Sequence, residues 1–136
     1  MPRFPEQKLW DRIRKHAGRQ VHIQRVENGI AAGMPDTLII HSSLVTWAEH
    51  KIATLPARKT TRLQWKHPLT PDQRNWHRVW TQNGGRSFVV VGIGAALYAV
   101  SGEVVDEITD YTENDIAQWR VTMDELIAVY RGFIFR

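Results

Sequence analysis

The chain has 136 residues, 43% of them apolar and 24% charged, and no cysteine. That is enough for one domain with a real core and too little for two. The missing cysteines exclude a disulfide framework and any thiolate metal site, and fit a reducing cytoplasm. The net charge of +4 is unevenly spread: residues 1–90 carry 15 Lys/Arg against 6 Asp/Glu, and residues 91–136 carry 3 against 8. A basic body with an acidic end suggests a polyanionic partner. The first residues, "MPRFPEQKLW", lack the apolar core of a signal peptide. The longest apolar run, "FVVVGIGAALYAV", is 13 residues broken by glycine, too short to span a bilayer.

In chain order, Pro5 can open a helix, and Leu9, Trp10, Ile13 and Ala17 recur at helical spacing before Gly18. "RQVHIQRVEN" reads as a strand and "GIAAGMP" as a loop. Asp36 to Ile40 and Leu44 to Ile52 form a hairpin across "HSS". Ala53 to Leu69 reads as an exposed basic loop with five basic residues and two prolines. "TPDQRNWHRVWTQNGG" is a helix: Thr70 caps it, Pro71 sits at the first position, Gln73 completes a capping box, and Gly84 and Gly85 end it. "RSFVVVGI" reads as a buried strand, and "ALYAV-SG-EVV" as a second hairpin with a Ser-Gly turn. "TMDELIAVYRGF" closes the chain as a capped helix with Leu126, Ile127 and Tyr130 inward. The expected order is α-β-β-β-α-β-β-β-α.

The stretch from Gly33 to Lys51 carries the chemistry. Glu49 and Lys51 are two apart and project from one face of a strand, with Val45 and Trp47. Asp36 opens the neighbouring strand, where pairing can bring its carboxylate close to Glu49. Two nearby carboxylates repel unless a cation lies between them. Mg²⁺ takes oxygen ligands and often only one or two carboxylates. A lysine beside it can orient an attacking water and offset charge on a phosphate. The competing reading is a salt-bridged hairpin. A second Pro-Asp, Pro71-Asp72, is explained by helix initiation. By alternation His50 faces away from Glu49 and Lys51, as a packing or surface residue. The other histidines show no metal-ligand spacing, so a zinc site is not indicated.

"GMPD…WAEHK" resembles the signature of the PD-(D/E)xK nuclease superfamily, a proline-acid followed by acid-x-lysine. With its flanks, "RVENGIAAGMPD" and "LTPDQRNWHRVWTQNGGRSFVVV", it is similar to the virus-type replication-repair (VRR-NUC) group and to phage Holliday-junction-resolvase-like nucleases. The likeness covers roughly residues 6–100. It implies an α/β fold of restriction-endonuclease type, with a mixed central sheet flanked by helices. It implies that Asp36 and Glu49 bind Mg²⁺ (or Mn²⁺), that the His50 carbonyl is a further ligand, and that Lys51 is the catalytic lysine. The family often adds an N-terminal glutamate, for which Glu27 is favoured over Glu6. Glu6 is also explained as helix-start charge. Gln73 matches a family position and shares a helix face with Trp76 and Trp80, though its capping box is an equal explanation. The family usually has a more apolar residue where this chain has His50.

Arg58, Lys59, Arg62 and Lys66 in the basic loop can track phosphates, and Trp65 can stack on a base. Arg74 and Arg78 extend the patch. A solvated loop over a packed tryptophan is the alternative. No element resembles a groove-reading helix, so structure selectivity is expected over sequence selectivity. The acidic segment would repel DNA and should lie away from the cleft or on a partner. The expected protein is a single domain over 1–136, with its core at about 6–100 and an acidic C-terminal extension over 101–136. It is expected to be a cytoplasmic, Mg²⁺-dependent endonuclease for branched DNA. The resemblance and the two-strand geometry of a junction imply a homodimer. Alternatives are a sequence-specific restriction, nicking or homing-type endonuclease, and a non-catalytic DNA-binding phage accessory module.

Overall fold

An eleven-residue strand, β3 (Leu44–Thr54), organises the molecule. Its residues from Thr46 to Lys51 are all buried, the pattern of a strand covered on both faces. The computed structural model describes residues 5–26 and 32–133. These build one seven-stranded sheet in the order β1 (His22–Arg25), β2 (Thr37–His41), β3, β5 (Arg86–Ile93), β6 (Ala96–Ser101) and β7 (Arg120–Val121). The two-residue β4 (Gln64–Trp65) pairs with the far end of β3. Only β3 and β5 run parallel. A parallel pair needs a crossover, and α2 (Pro71–Gln82) lies in it.

Strand alternation sends Ala48, His50 and Ile52 to one face and Trp47, Glu49, Lys51 and Ala53 to the other. The first face packs with Phe88, Val90 and Leu97 against α1 (Pro5–Ala17) and α4 (Met123–Tyr130), through Leu9, Ile13, Leu126, Ile127 and Tyr130. The second meets Val89, Val91 and Val100, with Leu63, Leu69, Ile108, Tyr111 and Ile116 closing over it. Trp76 of α2 packs edge-on against Trp47 at 5.8 Å and stacks on Trp80.

Local chemistry explains the boundaries. Glu6 in the first turn of α1 and Arg14, Lys15 and His16 in the last complement its dipole. Thr70 and Gln73 form the reciprocal capping box of α2. The β2–β3 hairpin turns on Ser42 and Ser43, both at positive φ (47° and 69°), as a tight primed turn requires.

Two expectations change. The Ser-Gly dipeptide is not a hairpin turn: Ser101 caps a 3-10 turn (Gly102–Val104) by accepting the Glu103 N–H. A Cβ on Gly102 would lie 2.1 Å from Ser87 Oγ, so a side chain there would force that hydroxyl away from its 2.7 Å contact with His77 Nδ1. The hairpin is instead β5–β6, turning at Gly94-Ala95, and the strand beside β6 is β7, after a short α3 (Glu113–Ala117). The basic loop is not wholly loop, since β4 lies within it. The segment over 101–133 contributes to both cores through Ile108, Tyr111 and Ile116 and through α4, whose Leu126, Ile127 and Tyr130 point inward as expected.

Gly33 ties the loop before β2 to α2. At φ 77° it is left-handed, and a Cβ there would lie 2.1 Å from the Asp72 carbonyl oxygen. Gly33→Ala therefore meets both a left-handed penalty of about 1–2 kcal/mol and a backbone clash. Urea unfolding should show a stability loss larger than that penalty alone.

Candidate active site

The site lies where one edge of β3 is open. β2 pairs with β3 only as far as Thr37↔Ala48, and β4 begins at Ala53↔Trp65. Between them, among the described residues, no strand pairs with Glu49, His50 or Lys51 on that edge. The Lys66 N–H donates to the Ile52 carbonyl, which therefore points to the β4 side. Carbonyls two apart on a strand point the same way, so the His50 carbonyl points into the gap.

Continuing the register sets Asp36 opposite Glu49. Pro35 just before it has no N–H to offer a ladder. Asp36 sits at the bend, and its carbonyl accepts from the Val26 N–H at 2.7 Å. Its side chain turns toward the α1 face. There Oδ1 accepts from Thr37 Oγ1 at 2.8 Å and lies 3.1 Å from His50 Nδ1. Glu49 and Lys51 stay on the α2 face, 7% and 6% exposed. No ion pair joins them among the described residues, so the salt-bridged hairpin is not what forms.

The electrostatics are those of an anionic hole. Burial pushes the Glu49 carboxyl up to about 8. The Asp36 charge, and to a lesser degree that of Glu6, adds to the shift, while Lys51 and Arg25 oppose it. Burial also raises Asp36, but the His50 hydrogen bond and charge, with Thr37 and Arg25, more than offset this and hold it below its usual value. Arg25, opposite Thr37 on β1, thus bears on both carboxylates; no sequence signal marked it. Glu6 is near enough for its charge to reach Glu49, and its carboxylate contacts His67 Nδ1 at 2.8 Å. Glu27 lies outside the described residues.

Among the described residues no three Asp, Glu or His side chains cluster as a metal site. The candidate set is two carboxylates and one main-chain carbonyl, all hard oxygens. That suits Mg²⁺ or Mn²⁺, which commonly take one or two carboxylates and complete their shell with water. The residues present fit such an ion.

In fold, the protein resembles Hjc of Archaeoglobus fulgidus, an archaeal Holliday-junction resolvase. The TM-score is 0.63 over 98% of this chain and 100% of that one, at 13% identity. The fold is restriction-endonuclease-like. No family model and no curated protein matches the chain.

The remaining expected residues divide. Gln73 uses its side-chain oxygen in the capping box, accepting from the Thr70 N–H at 2.9 Å. Arg58, Lys59 and Lys66 are exposed. Arg62 is ion-paired to Asp110 at 2.7 Å, and Arg78 makes a two-pronged pair with Asp106. Arg74 donates to the Leu69 carbonyl. Trp65 is half-buried against the second core. The acidic segment does not avoid the basic body; it packs on it through Asp106 and Asp110. His50 does face away from Glu49, yet it is a buried partner of Asp36 and not a mere packing residue. Arg12, Lys15 and Arg120 line a separate groove of about 1080 Å³, whose parts are too distant in sequence to be read together.

An acid with a raised pKa holds its proton more tightly folded than unfolded. Between 4.5 and about 8 the folded chain therefore binds more protons, and stability falls as pH rises through that window. In EDTA, Tm should fall from pH 5 to pH 8, and Glu49→Gln should flatten the decline. A slope unchanged in that variant would assign it to other groups.

Proposed function

We propose that this chain is a metal-dependent DNA endonuclease of PD-(D/E)xK type, selective for branched DNA in the manner of a Holliday-junction resolvase. The observation that carries the reading is the pair Glu49 and Lys51, buried side by side with no ion pair between them among the described residues. Asp36 and an open carbonyl stand beside them at the unpaired edge of β3. Buried ionisable groups with shifted pKa values, here a Glu49 carboxyl raised to about 8, concentrate where chemistry needs them. The fold likeness to Hjc supports the same reading. The flanking sequence supports a place in the VRR-NUC group, with a phage or bacterial cytoplasmic setting and a homodimer that presents two sites to a junction.

In this mechanism Asp36, Glu49 and the His50 carbonyl would hold Mg²⁺ or Mn²⁺. Bound there, the ion would supply Lewis-acid polarisation of the scissile phosphodiester. Lys51 projects from the same face as Glu49, and its ammonium orients the attacking water and offsets charge building on the phosphate. Arg25 moderates the negative field around both carboxylates. Arg58, Lys59 and Lys66, exposed around β4, hold the backbone of a DNA arm. No helix of the described residues is long and apolar enough to cross a membrane.

Asp36→Ala should abolish cleavage of a four-way junction in Mg²⁺ or Mn²⁺ while sparing junction binding. Full activity in that variant would falsify the site. In a separate test, replacing Arg58, Lys59 and Lys66 together with alanine should weaken binding. The slope of log K against log salt should become shallower by roughly 2–3, about 0.9 per lost phosphate contact on duplex. Arg78→Ala, which loses an internal ion pair, should leave that slope nearly unchanged.

A further inference from the structure

We propose that the His50 imidazole is a positioning residue that sets the orientation of the Asp36 carboxylate at the open edge of β3. The inference rests on the metal-dependent reading above and goes beyond it, because that reading uses only the carbonyl of His50.

Three features carry it. First, register alone would set the Asp36 side chain on the same face as Glu49. It is instead turned around the strand end to His50 and Thr37. The rotation directs the carboxylate away from the buried acid opposite. Second, both contacts fall on Oδ1, so Oδ2 has no hydrogen-bond partner among the described residues. One oxygen is anchored and the other is left for a ligand. Third, His50 is 1% exposed and held in the core that faces α1 and α4, so its ring is a fixed post.

The contact also determines the tautomer. An ionised carboxylate only accepts, and the Thr37 hydroxyl already donates to the same Oδ1. The proton must therefore sit on Nδ1. Nε2 is sealed from solvent without a partner among the described residues. A packing residue would have no need of that buried orphan; a leucine would fill the space at less cost. Ligand-orienting hydrogen bonds of this kind typically govern metal affinity by 10–100-fold.

The test is calorimetric titration of metal-free protein with Mn²⁺, without DNA. His50→Leu should weaken binding by at least about tenfold. His50→Asn, whose amide keeps an N–H near the Nδ1 position, should retain most of the affinity. A His50→Leu protein that binds Mn²⁺ as tightly as wild type overturns the positioning role and leaves the metal reading intact. Wild-type protein that binds no Mn²⁺ overturns the metal reading and the positioning role with it. If His50→Leu fails to fold, long-range ¹H–¹⁵N spectra of wild type decide the geometry. The Nδ1–H tautomer, altered in Asp36→Asn, is expected; the Nε2–H tautomer overturns the proposal.

Discussion

The arrangement depends on a break in the hydrogen bonding along one edge of β3. An interior strand normally has neighbours on both sides, and β3 has β5 beside Thr46–Ile52 without interruption. On the other side β2 ends at Thr37 and β4 begins only at Trp65. Pro35 cannot donate, and Asp36 bends away, so the ladder stops there. The gap brings an acid at the end of one strand and an acid and a lysine in the middle of another to one place. It also leaves a main-chain carbonyl free to join them.

Such a place is expensive. Among the described residues Glu49 and Lys51 are buried without an ion pair, the Asp36 charge bears on Glu49 from around the strand end, and the buried Nε2 of His50 has no partner. The rest of the fold offsets this. The β3–β5 ladder holds the strand from one side. The two cores clamp it from above and below, so the site residues cannot relax by moving the backbone. Gly33 fastens the loop before Asp36 onto the start of α2, which fixes the approach of the acid as well. The site is rigid because each element around it is locally consistent, while the site itself is the inconsistent part.

That contrast explains what was legible in the sequence. α1, the β2–β3 hairpin, α2 and β5 announce themselves through periodicity, turn residues and a capping box, all local signals. The strand positions of Asp36, Glu49 and Lys51 follow from strand alternation and hairpin register, which are short-range rules, whereas the turn of the Asp36 side chain toward His50 does not. Residues whose roles depend on distant partners were not legible. Ser101-Gly102 looks like a turn until Ser87 and His77 are found against the glycine. Trp65 looks like a stacking platform until β4 and the second core claim it. Arg62 and Arg78 look like phosphate contacts until Asp110 and Asp106 pair with them. For His50, alternation gave the correct face and the wrong consequence, because the acid opposite curls around the strand end to meet it.

The placement of the acidic segment bears on how a polyanion could approach. The sequence separates a basic body from an acidic end, but in the fold Asp106 and Asp110 pair with Arg78 on α2 and Arg62 in the basic loop. The exposed cations that remain near the gap, Arg58, Lys59 and Lys66, flank β4, beside the open edge of β3. The negative charge covers the α2 side, and the positive charge is left where the ladder is interrupted. On the proposed function, a phosphate chain drawn by that field would approach along the open edge of β3.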